Sequence, residues 1–143
     1  MKVLLATQPM PAAIFGDAIR ARAPALELVE YRSALSDAEL ADVDVVLGWQ
    51  MPRGLVERLP RLRWVCSVAA GVEKLLVPEL APDVRVSRIV DREQAAGIAQ
   101  FVVAMALRHA RELERYEAQQ RERAWTRRPL PIARHRVAVL GTG

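Results

Sequence analysis

Cysteine is nearly missing from this chain. Cys66 is the only one in 143 residues, so no internal disulfide can form, and a reducing cytoplasm is the expected compartment. Long apolar runs are missing as well. The longest, Ile98 to Leu107, is interrupted by Gln100 and falls well short of the roughly 18 residues a membrane span requires, so no membrane helix is expected. No secretory signal is expected either, because Met1-Lys2-Val3-Leu4-Leu5 soon meets Gln8, Pro9 and Pro11 and reads better as a strand. Internal repeats and low-complexity tracts are not found. No metal-ligand motif is seen.

What remains is a chain of ordinary globular composition, 52% hydrophobic and 27% charged, long enough for one core with an appendage. Its net charge of +4 does not make it a nucleic-acid binder, because 19 of its 21 basic residues are arginine and many alternate with acids. Arg108 and Glu112, and Glu117 and Arg121, fall at the i,i+4 spacing of a solvated helix face. No nucleic-acid partner is expected.

Short apolar runs alternate with helical patterns through residue 90. Lys2 to Thr7, Leu26 to Tyr31, Val43 to Gly48, Trp64 to Val68 and Val84 to Ile89 read as strands. Between them lie expected helices at Pro11 to Arg22, Asp37 to Ala41 with Ser36 as cap, Arg53 to Leu59, and Val72 to Leu76. Such alternation implies a doubly wound parallel sheet, an α/β fold. From Asp91 one long helix is expected to run to Arg123. Its first half is apolar nearly all round and asks for burial between two bodies, as in an obligate homodimer or against a further domain. Residues 124–143 then form a connector and a last strand. The expected organisation is a sheet domain at 1–90, a long interdomain or dimerisation helix at 91–123, and the opening of a second domain at 124–143.

The last seven residues, Val137-Ala138-Val139-Leu140-Gly141-Thr142-Gly143, read as a buried strand entering the first two glycines of a phosphate-cradling turn. A full dinucleotide fingerprint continues into a helix, and none follows here. The chain is thus expected to be the front of a two-domain nucleotide-dependent enzyme. In open parallel sheets ligands bind past the carboxyl ends of strands, which directs attention to Gln8-Pro9, Trp49-Gln50 and Ala69-Ala70-Gly71-Val72. The small residues of the last loop allow close backbone approach, and amides at a helix start would suit a carboxylate or phosphate. Tight strand-to-helix packing would explain the same small residues. Cys66, inside a strand, reads as core rather than nucleophile. A phospho-acceptor receiver would place acids where Gln8-Pro9 and Trp49 stand, so that class is disfavoured.

Four features in order, Val65 to Leu75, Gly97 to Val103, Gln119-Gln120 to Trp125 and Val139 to Gly143, make the chain resemble the D-isomer-specific 2-hydroxyacid dehydrogenase family, in its glyoxylate/hydroxypyruvate reductase branch. The resemblance implies a flavodoxin-like substrate domain, a long helix and the first strand of an incomplete Rossmann domain. It implies hydride transfer between NADP or NAD and a small 2-oxo or 2-hydroxy acid. Ala70, Gly71 and Val72 would present amides to the substrate carboxylate, and Trp49 would line the pocket. Gly141 and Gly143 would open the pyrophosphate turn. Gln100 stands near the cofactor where relatives carry glutamate. The family's catalytic arginine, histidine and carboxylate lie beyond Gly143, and neither His109 nor His135 matches that histidine. No catalytic residue is therefore expected in this chain, which alone would be inactive. The alternative is a non-catalytic binding or dimerisation module.

Overall fold

Five parallel strands form one sheet in the order β2-β1-β3-β4-β5. They are β1 (Lys2–Ala6), β2 (Glu27–Glu30), β3 (Val43–Gly48), β4 (Trp64–Ser67) and β5 (Arg85–Ser87). The computed structural model describes residues 1–127, 129 and 136–140. Strand β1 is bonded to β2 on one side and β3 on the other, with Leu4 opposite both Val29 and Val46. The chain therefore reverses its winding direction at β1, and the crevice beyond the ends of β1 and β3 is the switch point at which such sheets bind ligands.

The two most buried strands are the most uniformly apolar ones, as expected where both faces are covered. Leu4, Val43, Val46 and Val65 are fully buried on one face with Leu35, Leu40, Leu55, Leu59 and Leu75. Val3, Leu5 and Val45 build a smaller cluster with Ala12 on the other. Helix α1 (Ala12–Arg22) packs there, with Gly16 tight against Leu5. Helix α2 (Asp37–Leu40) starts at the expected cap: the Glu39 amide donates to Ser36 Oγ while the Ser36 amide donates back to the Glu39 carboxylate.

Several expected elements come out shorter. The segment 53–59 holds only a single tight turn at Val56–Arg58, since Pro52 and Pro60 bracket it and a three-residue turn needs no longer ladder. Residues 72–76 form one hydrogen-bonded turn and no helix. Leu75 and Leu76 both donate to the Val72 carbonyl, at 2.8 and 3.1 Å, and Pro78 excludes the helical conformation for Val77.

Residues Met1–Val90 form one compact unit and Asp91–Gly143 another. In the second, the expected long helix is interrupted. Helix α3 (Arg92–Ala110) begins where Asp91 accepts from the amides of Glu93 and Gln94, and α4 (Leu113–Arg121) follows after Glu112 adopts a left-handed φ of 51°. Across the break Arg108 forms a two-pronged pair with Glu117, at 2.5 and 2.7 Å. No residue of α3 is buried; Ile98, Phe101, Val103 and Leu107 are all exposed. Periodicity identifies which residues call for cover and is silent on what provides it. The expected last strand is not formed at residues 136–140. Gly141 and Gly143 lie outside the described residues.

Candidate functional site

The turn that follows β4 is pinned by a buried serine. Ser67 Oγ donates to the Gly71 carbonyl at 2.7 Å and accepts from the Ala69 amide at 3.1 Å. Two neighbouring carbonyls are also engaged. The Ile89 amide donates to Ala69 at 3.0 Å, and Arg88 Nη1 donates to Ala70 at 3.4 Å. The amides of Ala70, Gly71 and Val72, by contrast, donate to no atom among the described residues. A segment whose acceptors are satisfied and whose donors are open favours an anion. The expected helix dipole does not assist it, because 72–76 is only a turn, so any attraction comes from the individual amides.

Trp49 is brought to this loop by the sheet. Its amide donates to the Ala6 carbonyl, which extends the β1–β3 ladder by one bond, and the Val68 amide donates to Gly48. The Met51 amide donates to the Lys74 carbonyl at 2.9 Å, tying the segment after β3 to the turn after β4. Trp49, Ala69, Gly71, Glu73 and Lys74 line one shallow cavity of about 160 Å³. Lys74 Nζ lies 5.8 Å from the centre of the Trp49 ring, within cation–π range.

Of the residues singled out from sequence, Trp49 and Gly71 share this cavity, and Ala70 and Val72 flank Gly71 along the chain. Gln100 is exposed on α3, in the other unit. Sequence reasoning missed Ser67, Glu73 and Lys74. Ser67 had a readable signal, being a polar residue at the end of a buried strand; Lys74 had a fainter one, being one of only two lysines in an arginine-rich chain.

A larger cavity of about 410 Å³ sits at the opposite end of the sheet, lined by Val45, Trp64, Arg63, Arg85 and their neighbours. It opens at the amino ends of the strands, away from the end where parallel sheets bind ligands. The buried Asp44 carboxylate is held in this region by the Lys2 amide at 3.0 Å and by Arg63 and Arg61 at 3.3 and 3.5 Å. Cys66 is half-buried on β4, and burial pushes its thiol pKa up while a hydrogen bond with Ser87 pulls the other way. Among the described residues no group of three His, Cys, Asp or Glu side chains could hold a metal ion, and no helix is long and apolar enough to cross a membrane.

No family model matches the chain. Glyoxylate/hydroxypyruvate reductase A of Yersinia enterocolitica is 28% identical to it over 134 residues, covering 87% of this chain and 41% of the relative. A D-isomer specific 2-hydroxyacid dehydrogenase from Xanthobacter autotrophicus Py2, in complex with NADPH and MES, superposes with a TM-score of 0.70 at 29% identity, covering 91% of this chain and 42% of that one. The NADPH-dependent glyoxylate/hydroxypyruvate reductase of Sinorhizobium meliloti, in complex with NADP and sulfate, gives 0.68 at 28% identity, covering 91% and 41%. The chain spans about two-fifths of the length of these relatives. Over most of its own length, the chain is similar to part of the D-isomer specific 2-hydroxyacid dehydrogenases of the glyoxylate/hydroxypyruvate reductase kind.

Proposed function

We propose that this chain is the substrate-binding portion of an oxidoreductase that interconverts small 2-oxo and 2-hydroxy acids, of glyoxylate or hydroxypyruvate type, with NADP or NAD. The observation that carries the reading is the Ala69–Val72 loop, whose carbonyls are tied down and whose amides at 70, 71 and 72 are open. Two or three such amides, each giving a charge-assisted bond of roughly 1.5–3 kcal/mol, are enough to orient a small carboxylate. Trp49, just past the end of the neighbouring strand β3, lines the same cavity and would give the ligand an apolar wall.

The nicotinamide, when bound, would supply the hydride that turns the 2-oxo group into an alcohol. Gly141 and Gly143 would begin the turn that holds its pyrophosphate, and Gln100 would stand near it. NADP is favoured over NAD because the Xanthobacter and Sinorhizobium structures carry NADPH and NADP. The exposed apolar residues of α3, Ile98, Phe101, Val103 and Leu107, support a homodimer formed through that helix. The lone cysteine supports a cytoplasmic setting.

Gly71→Val tests the reading by calorimetric titration with glyoxylate. A β-carbon at Gly71 would meet Glu73 Oε2 at 2.6 Å, the movable end of a flexible side chain, so the fold tolerates the change. Branched atoms above the loop should nevertheless weaken glyoxylate at least about tenfold, the equivalent of one amide bond. Unchanged affinity would remove the loop from the site. A dimer that binds no oxo acid would instead favour a non-catalytic dimerisation module.

A further inference from the structure

The cavity beside the carboxylate loop holds a cation that a monocarboxylate does not use. Lys74 is exposed, lies over the Trp49 ring, and has no carboxylate within ion-pair distance among the described residues. Glu73, next to it in sequence and lining the same cavity, does not pair with it. Glu73 turns instead towards Gly71, where its Oε2 stands 2.6 Å from the position a β-carbon would take. Lys74 is thus left without an acidic partner in the cavity it lines, and a distal anion on the ligand would supply one.

Gly71 and Lys74 border one cavity of about 160 Å³, so a ligand that meets both must be short. Contact with the Trp49 face restrains the lysine stem and holds the ammonium at the cavity wall. Resting on the proposed oxo-acid reading, we propose that Lys74 is a specificity-determining residue that receives a second anionic group. Among short 2-oxo acids of equal length, one with a distal anion is then bound more tightly than one without, its 2-oxo carboxylate on the 70–72 amides and its distal anion at Lys74.

The test is a calorimetric comparison of 2-oxoglutarate with 2-oxovalerate, which has the same carbon count and lacks the second charge. Glyoxylate serves as the reference ligand, and the proteins are the native chain, Lys74→Met and Lys74→Arg. The native chain should prefer 2-oxoglutarate by about two- to fivefold, the range open to a solvent-exposed ion pair. Lys74→Met should bring the ratio to about one, Lys74→Arg should retain it, and added salt should shrink it. A native ratio near one, or a preference that survives Lys74→Met, would overturn the role of Lys74 and leave the loop reading standing. Failure of the native chain to bind glyoxylate would remove the loop reading and this assignment with it.

Discussion

Ser67 donates its hydroxyl proton to the Gly71 carbonyl at 2.7 Å, reaching four residues along the chain from the end of β4 into the Ala69–Val72 loop. The same oxygen accepts from the Ala69 amide. One side chain thus fixes both the entry and the middle of the loop. Ser67→Ala would remove both bonds, and because Gly71 is exposed and Ala69 only half-buried, water can replace them in part, for a loss of about 0.5–1.5 kcal/mol per bond. A lower urea midpoint is expected, together with weaker glyoxylate binding in titration. A variant with native midpoint and native affinity would show that the loop holds its shape without the serine.

Gly48, at the end of β3, sits close against the backbone of β1. A β-carbon there would stand 3.0 Å from the Ala6 carbonyl oxygen and 3.5 Å from Leu75 Cδ2. The first neighbour belongs to the ladder, since that oxygen accepts from the Trp49 amide, and the second is a fully buried core residue. Neither can yield cheaply. Gly48→Val should destabilise the Met1–Val90 unit by about 1–3 kcal/mol, the usual range for an overpacked site, and should displace Trp49. Denaturation monitored by tryptophan fluorescence would report both, and an unchanged native emission maximum with an unchanged midpoint would contradict the expectation.

These two residues show how unevenly sequence discloses a site. Strand β1 was legible because Val3 to Ala6 is a continuous apolar run, and β3 because Asp44 is the one polar residue among Val43, Val45, Val46 and Leu47, the pattern that burial on both faces demands. The strand order, β2-β1-β3-β4-β5, is the flavodoxin-like one that the resemblance implied. The cap at Ser36 was legible because Glu39 stands three residues on. The short turn at 72–76 was not, because Val72 and Leu75 have helical spacing, and only their packing and Pro78 decide how far a helix goes. The break at Glu112 was likewise hidden. Continuous helix and broken helix bury the same stripe on paper, and the Arg108–Glu117 pair that accompanies the break joins residues nine apart. The loop amides could be suspected from small residues, but not that Arg88 and Ile89, distant in sequence, engage the carbonyls of Ala70 and Ala69.

Asp44 makes the fold sensitive to acid. Its carboxyl is held below the ordinary aspartate range, first by the hydrogen bond from the Lys2 amide and then by Arg63 and Arg61. A depressed value in the folded state means that the stabilisation is complete above the unfolded pKa of about 4 and is lost as pH falls through the folded value. Asp42, held down chiefly by its bond to Lys2 Nζ, and Glu39, held down by Ser36, act in the same direction. Urea midpoints should therefore be flat near neutrality and decline below about pH 4. Asp44→Asn should lower the midpoint at pH 7, because its Arg partners lose their counter-charge, and should flatten the acid decline. An acid decline as steep as in the native chain would assign the effect to other carboxylates.

Cys66 should be chemically quiet. It sits mid-strand on β4, opposite Leu47 and Ser87, and burial raises its thiol pKa against the weaker opposing pull of the Ser87 hydrogen bond. Because the thiolate is the reacting form, a raised pKa and restricted access both slow attack. Iodoacetamide at pH 7.5 should label the folded chain at least about tenfold more slowly than it labels free cysteine, with rapid labelling once urea unfolds the strand. The shift carries a stability consequence of fixed sign. The unfolded thiol ionises first as pH rises past about 8.5, so stability present below that pH is progressively lost above it until the folded thiol also ionises. Mass-resolved labelling across pH 7 to 10, with and without urea, measures both effects, and labelling of the folded chain as fast as the unfolded one would show that β4 does not protect the sulfur.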